Sequence, residues 1–316
     1  RTDSAFQYNR LAGLEYNLAS ASNVWTGKAY YHYSIDPNNP DSTFSYGSRL
    51  QYNVYNYTIS VDHQLIGNNF NAEVGFVPRT GFQRLNPRVA VNFYPSSRIL
   101  NRHGPNLDSE FLWDSEGKQT DYKHELGYEL SFMDQSNINA SVNQRFVFLK
   151  DDFDPTRSDE GTPLPAGSSY TYNFFDIRFR SDQRKRVTVS ANGTAGQFFN
   201  GSRLGLGGNV NYRFQPFGNI GIDVQYNSVK LPEPYSSADL VLIGPRVDVT
   251  FTKKIYLTGL FQYNNQVDNF STNIRFQWRY KPVSDLYIVY TDNYYASNFN
   301  AKNRSLVFKL TYWLNM

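Results

Sequence analysis

Near the end of the chain, Leu306, Phe308, Leu310, Tyr312 and Leu314 occupy every second position, and the residues between them, Val307, Lys309, Thr311 and Trp313, are more mixed. Successive side chains of a β-strand point to opposite faces, so this spacing specifies a strand with one apolar face. Helical apolar positions recur at three and four, and no segment competes with that period. A strand of this kind at the end of a chain is how transmembrane β-barrels of outer membranes close. The dyad pattern recurs along nearly the whole sequence. It constrains architecture and compartment, and it names neither cargo nor chemistry.

No apolar run approaches the ~18–20 residues of a transmembrane helix, and the mean hydropathy of −0.57 reads by itself as that of a soluble chain. Yet the sequence holds 25 Tyr, 24 Phe and 4 Trp, aromatic side chains that favour half-buried flat surfaces and membrane interfaces. A barrel reconciles the two facts, because only alternate residues face lipid and the others face a polar lumen. A soluble β-sandwich is the competing reading, but its strands are nearer ~5–6 residues, and the segments here read as ~12–14 against the ~9–11 that cross a bilayer. The net charge of +3 is small and its cations are scattered, so nucleic acid is not an expected partner. The chain has no cysteine, which removes disulfides, thiolate zinc sites and cysteine nucleophiles.

The expected fold is an all-β transmembrane antiparallel barrel of about 16–18 strands or more, occupying residues 1–316 as one domain. About 17 strand-like segments are separated by turns rich in Asn, Asp, Gly, Pro and Ser. The clearest has Ile274, Phe276, Trp278 and Tyr280 alternating with Asn273, Arg275, Gln277 and Arg279. The connections fall into two classes. Short ones include Tyr94–Arg98, Asp134–Asn137, Ser181–Arg184, Gln215–Asn219, Thr252–Lys254 and Lys281–Asp285; long ones include Ile66–Phe82, Leu149–Ser169, Leu231–Asp239 and Ala296–Asn303. Short turns belong to the periplasmic side of outer-membrane barrels and long loops to the outside, which puts Met316 in the periplasm. Counting back from Met316 gives an odd strand number, with a first strand over about Phe6–Ser20, whereas bacterial single-chain barrels have even counts. Either one segment is wrongly divided or, the favoured expectation, at least one strand precedes Arg1. The opening at Arg1, with no basic or apolar leader, points the same way, to the C-terminal part of a longer exported precursor.

Candidate site residues come from three places. The Ile66–Phe82 segment is too apolar for a plain loop: Phe70, Val74, Phe76 and Phe82 call for burial, Gly75, Pro78 and Gly81 suggest a fixed path, and Glu73 and Arg79 are free to pair. It either narrows a barrel mouth, with Glu73 and Arg79 lining the opening, or packs on the rim as a lid. The inward-facing set comprises Arg145, Arg178, Arg180, Arg213, Arg246, Arg275 and Arg279, with Asp176, Asp223, Asp248, Glu125 and Glu129. It either selects solutes or forms the cross-strand pairs that any polar lumen carries. The third is an acidic loop holding Asp151, Asp152, Asp154, Asp159 and Glu160, whose spacing departs from the EF-hand pattern, so that a solvated outer loop is expected and no metal site.

An enzyme needs a base, and the four histidines are His32, His63, His103 and His124. His63 and His124 share faces with apolar residues, His103 lies in an irregular Asn101–Asn106 stretch, and none has a nucleophile and carboxylate at matching positions. No catalytic residue and no cofactor is expected. Trp25, Tyr30, Tyr31, Tyr33, Tyr294 and Tyr295 could stack on sugars, though an interfacial girdle accounts for them.

Four stretches carry a family resemblance: NRLAGLEYNLASASNVWTGKAYYHYS from Asn9, NNFNAEVGFVPR from Asn68, NFSTNIRFQWRYKPVSDLYIVY from Asn269, and the terminal LVFKLTYWLN. Together they resemble Gram-negative envelope proteins that pair a signal peptide and an N-terminal carbohydrate-binding module of the family-9 type with a large C-terminal region of unknown function. The resemblance covers most of the chain, with EVGFVPR its most specific element, and it brings no catalytic residues. It implies an outer-membrane barrel, multi-pass, whose partners are membrane lipid, a saccharide, or other envelope proteins in a complex. The leading expectation is a channel or transport barrel; the alternative is a non-conducting anchor that presents a binding module or joins a larger assembly.

Overall fold

The computed structural model describes residues 8–36, 41–73, 75–156 and 161–314. Seventeen strands of one sheet follow one another along the chain. They are β1 (Arg10–Ala19), β2 (Trp25–Ile35), β3 (Phe44–Asn53), β4 (Tyr57–Ile66), β5 (Phe82–Val91), β6 (Leu100–Asp114), β7 (Gln119–Phe132), β8 (Asn137–Phe148) and β9 (Ser169–Arg180). Then come β10 (Val187–Phe198), β11 (Gly201–Phe214), β12 (Gly218–Lys230), β13 (Ala238–Thr252), β14 (Ile255–Asn264), β15 (Asn269–Lys281), β16 (Ser284–Tyr294) and β17 (Ala301–Leu310). No helix among the described residues is long and apolar enough to cross a membrane. The expected first strand begins at Arg10; Phe6 and Met316 lie outside the described residues.

The chain divides into two compact units: Arg1–Leu130 with Ala140–Phe153 and Pro165–Phe174, and Ser131–Asn139 with Asp154–Leu164 and Phe175–Met316. In the first, β1 to β6 are antiparallel neighbours in sequence order. Leu14 lies opposite Tyr31 and Tyr16 opposite Ala29, while Glu15 opposite Tyr30 and Gly13 opposite His32 fall on the other face. In the second, β10 to β17 pair likewise. One rung runs Leu257, Phe276, Ile288, Phe308 and is wholly apolar; the next runs Tyr256, Gln277, Tyr287, Lys309 and is polar. A one-residue slip would exchange the two faces, so the alternation itself fixes the register.

The apolar face is the exposed one. Leu14 is 80% and Phe308 64% exposed, with Leu206, Val210, Ile220 and Ile222 also open. Among the described residues the buried apolar ones are few, and most lie in or beside a longer connection of their own unit: Ile66, Phe70 and Leu149 in the first, Leu164, Val229 and Leu231 in the second. Among the described residues the buried polar ones outnumber them and include, on the polar face, Ser34, Asn86, Asn143, Thr188 and Asp285. A sheet in water would bury its apolar face; this one covers its polar face and leaves the apolar one open.

Connections of the two classes alternate. Residues 133–136, 181–186, 215–217, 253–254 and 282–283 join strands at one end of their hairpins, and 67–81, 149–168, 231–237 and 295–300 at the other. The stretch expected to be irregular around His103 is instead part of β6, because Gly104 and Pro105 are accommodated where Gly104 closes on the Val91 carbonyl and Phe93 bridges His103.

Candidate functional site

The 67–81 loop leaves and rejoins the sheet at one rung, since Ile66 and Phe82 face each other. Its neck is tied by backbone bonds: Gly67 N–H donates to Phe44 O at 2.8 Å and Gly81 N–H to Gly67 O at 3.4 Å. Gly81 has φ +68°, and a Cβ there would collide with Asn68 Oδ1, so only glycine closes the neck without strain. Past the neck the loop bends over the polar face. Asn71 N–H donates to the buried Ser34 hydroxyl at 3.1 Å, and Asn9 Nδ2 donates to Asn71 O at 3.0 Å. Ser34 alternates with His32 and Tyr30 on the polar side of β2. Arg79 Nη1 stands 3.8 Å from Asp121 Oδ2, and Asp121 shares a face of β7 with Lys123 and Glu125.

Two expectations for this loop are corrected. Glu73 and Arg79 do not pair: Arg79 turns to Asp121, and Glu73 is exposed with no ion pair among the described residues. Phe70 is buried at 6%, but Phe76 is 89% exposed, because the neck encloses only the side chain nearest to it. Val74 lies outside the described residues. An open hollow of about 490 Å³ lies along the loop, lined by Asp36, Phe70, Glu73, Phe76 and Thr80 among others.

On the polar face of the first unit, charges come in pairs. Lys28 meets Glu15 at 2.7 Å, Arg88 meets Asp108 at 2.5 Å, Arg102 meets Glu129 at 2.6 Å and Lys123 meets Glu125 at 2.6 Å. Arg49 with Asp62 and Arg84 with Glu110 are looser, at 3.6 and 3.8 Å. Arg145 shares its face of β8 with the buried Ser141 and Asn143 and is exposed without a carboxylate among the described residues. Tyr30 lies over Gly47, where a Cβ would sit 2.8 Å from the ring, and its hydroxyl accepts from Gln64 at 3.0 Å. This ring is therefore already engaged, while Trp25, Tyr31 and Tyr33 are exposed on the apolar face.

In the second unit, Arg178, Arg180, Arg213, Asp223, Arg246, Arg275 and Arg279 all lie on the polar face, alternating with Phe179, Tyr212, Val224, Val247, Ile274 and Trp278. Arg246 grips Asp248 through Nε at 2.8 Å and Nη2 at 3.2 Å, and Arg279 Nε donates to Asp285 at 3.2 Å. Arg178 is 4.0 Å from Asp176, and Asp223 accepts from Asn209 Nδ2 at 2.9 Å. Arg180, Arg213 and Arg275 have no carboxylate within ion-pair distance among the described residues. The alternation places all three in the inward-facing set; which of its members lack a carboxylate depends on the strands that lie beside them.

His32 stands 3.4 Å from Glu15 on the polar face, whereas His63 meets Gln83 at 3.0 Å, His124 meets Ser109 at 2.9 Å and His103 meets the Tyr128 hydroxyl at 2.6 Å. In the acidic loop, Asp152 accepts from Ala166 N–H and Asp154 from Thr156 N–H, both at 2.8 Å, so these carboxylates cap backbone. Asp159 and Glu160 lie outside the described residues. Among the described residues no cluster of His, Cys, Asp or Glu could hold a metal ion.

The family DUF5916, a domain of unknown function, matches residues 1–265. The chain belongs to this family. No curated protein matches it. Among solved structures, this DUF5916 chain is similar to the siderophore receptor PirA from Pseudomonas aeruginosa, with a TM-score of 0.49 and 10% identity over 96% of this chain and 68% of the receptor. It is also similar to the siderophore receptor PirA from Acinetobacter baumannii, with a TM-score of 0.39 and 10% identity over 98% of this chain and 71% of that one.

Proposed function

We propose that this DUF5916 chain is a transport-type barrel of the bacterial outer membrane. The observation that carries the reading is the inversion of the sheet: aliphatic and aromatic rows are open, while the other face buries serines and asparagines and carries the ion pairs. Lipid accepts the first and a hydrated lumen the second. Strands of 10 to 15 residues are long enough for the crossing. In this reading the short connections face the periplasm, as does the end of β17, and loop 67–81 narrows the lumen from the outer side through its reach to Asp121. A saccharide cargo and an attached carbohydrate-binding module rest on the family resemblance alone.

The test is single-channel conductance of the purified protein in a planar bilayer. Steady conductance that rises when loop 67–81 is shortened supports a transport barrel. Silence from folded protein, before and after the shortening, contradicts it and favours an anchor or assembly role.

A further inference from the structure

The polar face of the second unit holds more positive charge than its own carboxylates meet. Asp248 is engaged by Arg246 and Asp285 by Arg279, and Asp223, which accepts from the neutral Asn209, is one carboxylate against several further cations. Arg180, Arg213, Arg275 and Lys309 are left on that face without a carboxylate partner among the described residues. Arg186, exposed in the 181–186 connection, precedes β10.

Arg213 N–H donates to Arg186 O at 2.8 Å, so the 181–186 connection meets the end of β11 there, and Arg213's neighbour on its other side is the neutral Asn219. Arg180, Arg186, Arg213 and Lys309 all lie toward the end with the short connections, where Lys253, Lys254 and Lys281 are also exposed. In the first unit the same face is laced by ion pairs, so a cationic surplus is not a general property of this sheet.

We infer that the polar face of the second unit, around Arg180, Arg213 and Arg275, binds small polyanions through phosphate or clustered carboxylate groups. Planar guanidinium groups suit such oxyanions through paired N–H donors, and a surface of one sign concentrates its counter-ions. This inference rests on the transport reading and gives it a cargo class.

The test uses the full chain in phosphatidylcholine nanodiscs, titrated with sodium tripolyphosphate and, separately, citrate by calorimetry, with a reversal-potential measurement in a KCl gradient beside it. Tripolyphosphate or citrate should bind, and Arg180→Gln with Arg213→Gln and Arg275→Gln should weaken binding about tenfold or more. Arg88→Gln, in the paired first unit, should leave binding unchanged. Binding of one anion and not the other assigns the oxyanion chemistry. Absence of binding by the unmodified protein overturns the inference whatever the variants do. Equal binding by the triple variant, with its strand content intact by circular dichroism, overturns it as well. Binding without conductance sustains the inference as a binding surface and removes the transport reading; conductance with cation selectivity and no binding does the reverse.

Discussion

Arg79 and Asp121 join the 67–81 loop to the polar face of β7, Nη1 to Oδ2 at 3.8 Å. Both side chains are partly exposed, so the pair contributes at most ~1 kcal/mol to global stability. Its effect belongs to the loop. Arg79→Ala and Asp121→Ala should each speed chymotrypsin cleavage at the exposed Phe76 to a similar extent, and the double variant should add little more. An unchanged rate in Asp121→Ala would mean that the neck bonds alone hold the loop down.

Phe276 sits between Leu257 and Ile288 on the apolar face, and Gln277 donates to Asp285 and the Tyr287 hydroxyl on the other. Phe276→Arg should lower the stability of folding into lipid vesicles by ~2–4 kcal/mol if this rung lies near mid-bilayer. Gln277→Arg should be tolerated, since it joins a hydrated row. Equal losses in a urea titration would show that the facing is wrong.

Tyr30 and Gly47 form a fitted pair in which the ring takes the place of the absent Cβ. Gly47→Val should cost ~1–3 kcal/mol by overpacking. A Tyr30→Ala background should relieve only part of this loss, because the His63 carbonyl also lies 2.8 Å from a Cβ at position 47. Full rescue would mean that the ring alone sets the constraint.

In the 181–186 turn, Arg184 donates to Asp182 from Nε, Nη2 and its backbone N–H, each at 2.9 Å. The side-chain bonds from Arg184 are the main reason that the Asp182 carboxyl falls from 3.8 to about 2. A depressed carboxyl stabilises the fold where it is ionised in both states, so the contribution is present above pH 3.8 and is lost as pH falls through about 2. An NMR titration of Asp182 should show that low midpoint, and Asp182→Asn should abolish the associated loss of turn order in acid. A midpoint at the ordinary carboxylate value would contradict the pairing.

The strand pattern was legible because a period of two is imposed by backbone geometry and survives any tertiary detail. The positions of Phe276, Arg275, Ile222 and Asp223 follow from it directly. The 67–81 loop was legible only in part. Its apolar content predicted burial, and Phe70 is buried, but which of Phe70 and Phe76 would be enclosed depends on where the neck closes, which Gly81 and Gly67 decide through space. Glu73 and Arg79 are legible as charges free to pair, but the partner of Arg79, Asp121, lies on another strand and cannot be read from the loop. The inward arginines of the second unit follow from the same alternation, but which of them go unpaired does not, since an arginine's pairing depends on the carboxylates across the ladder.

In the proposed barrel one face of this sheet meets lipid and the other water. Because the chain has no cysteine, single cysteines at positions 274, 275, 276 and 277 of the protein in lipid vesicles can be probed with a maleimide that does not enter lipid. Labelling is expected at 275 and 277 and protection at 274 and 276. Uniform labelling along this stretch of β15, or the opposite alternation, would contradict it.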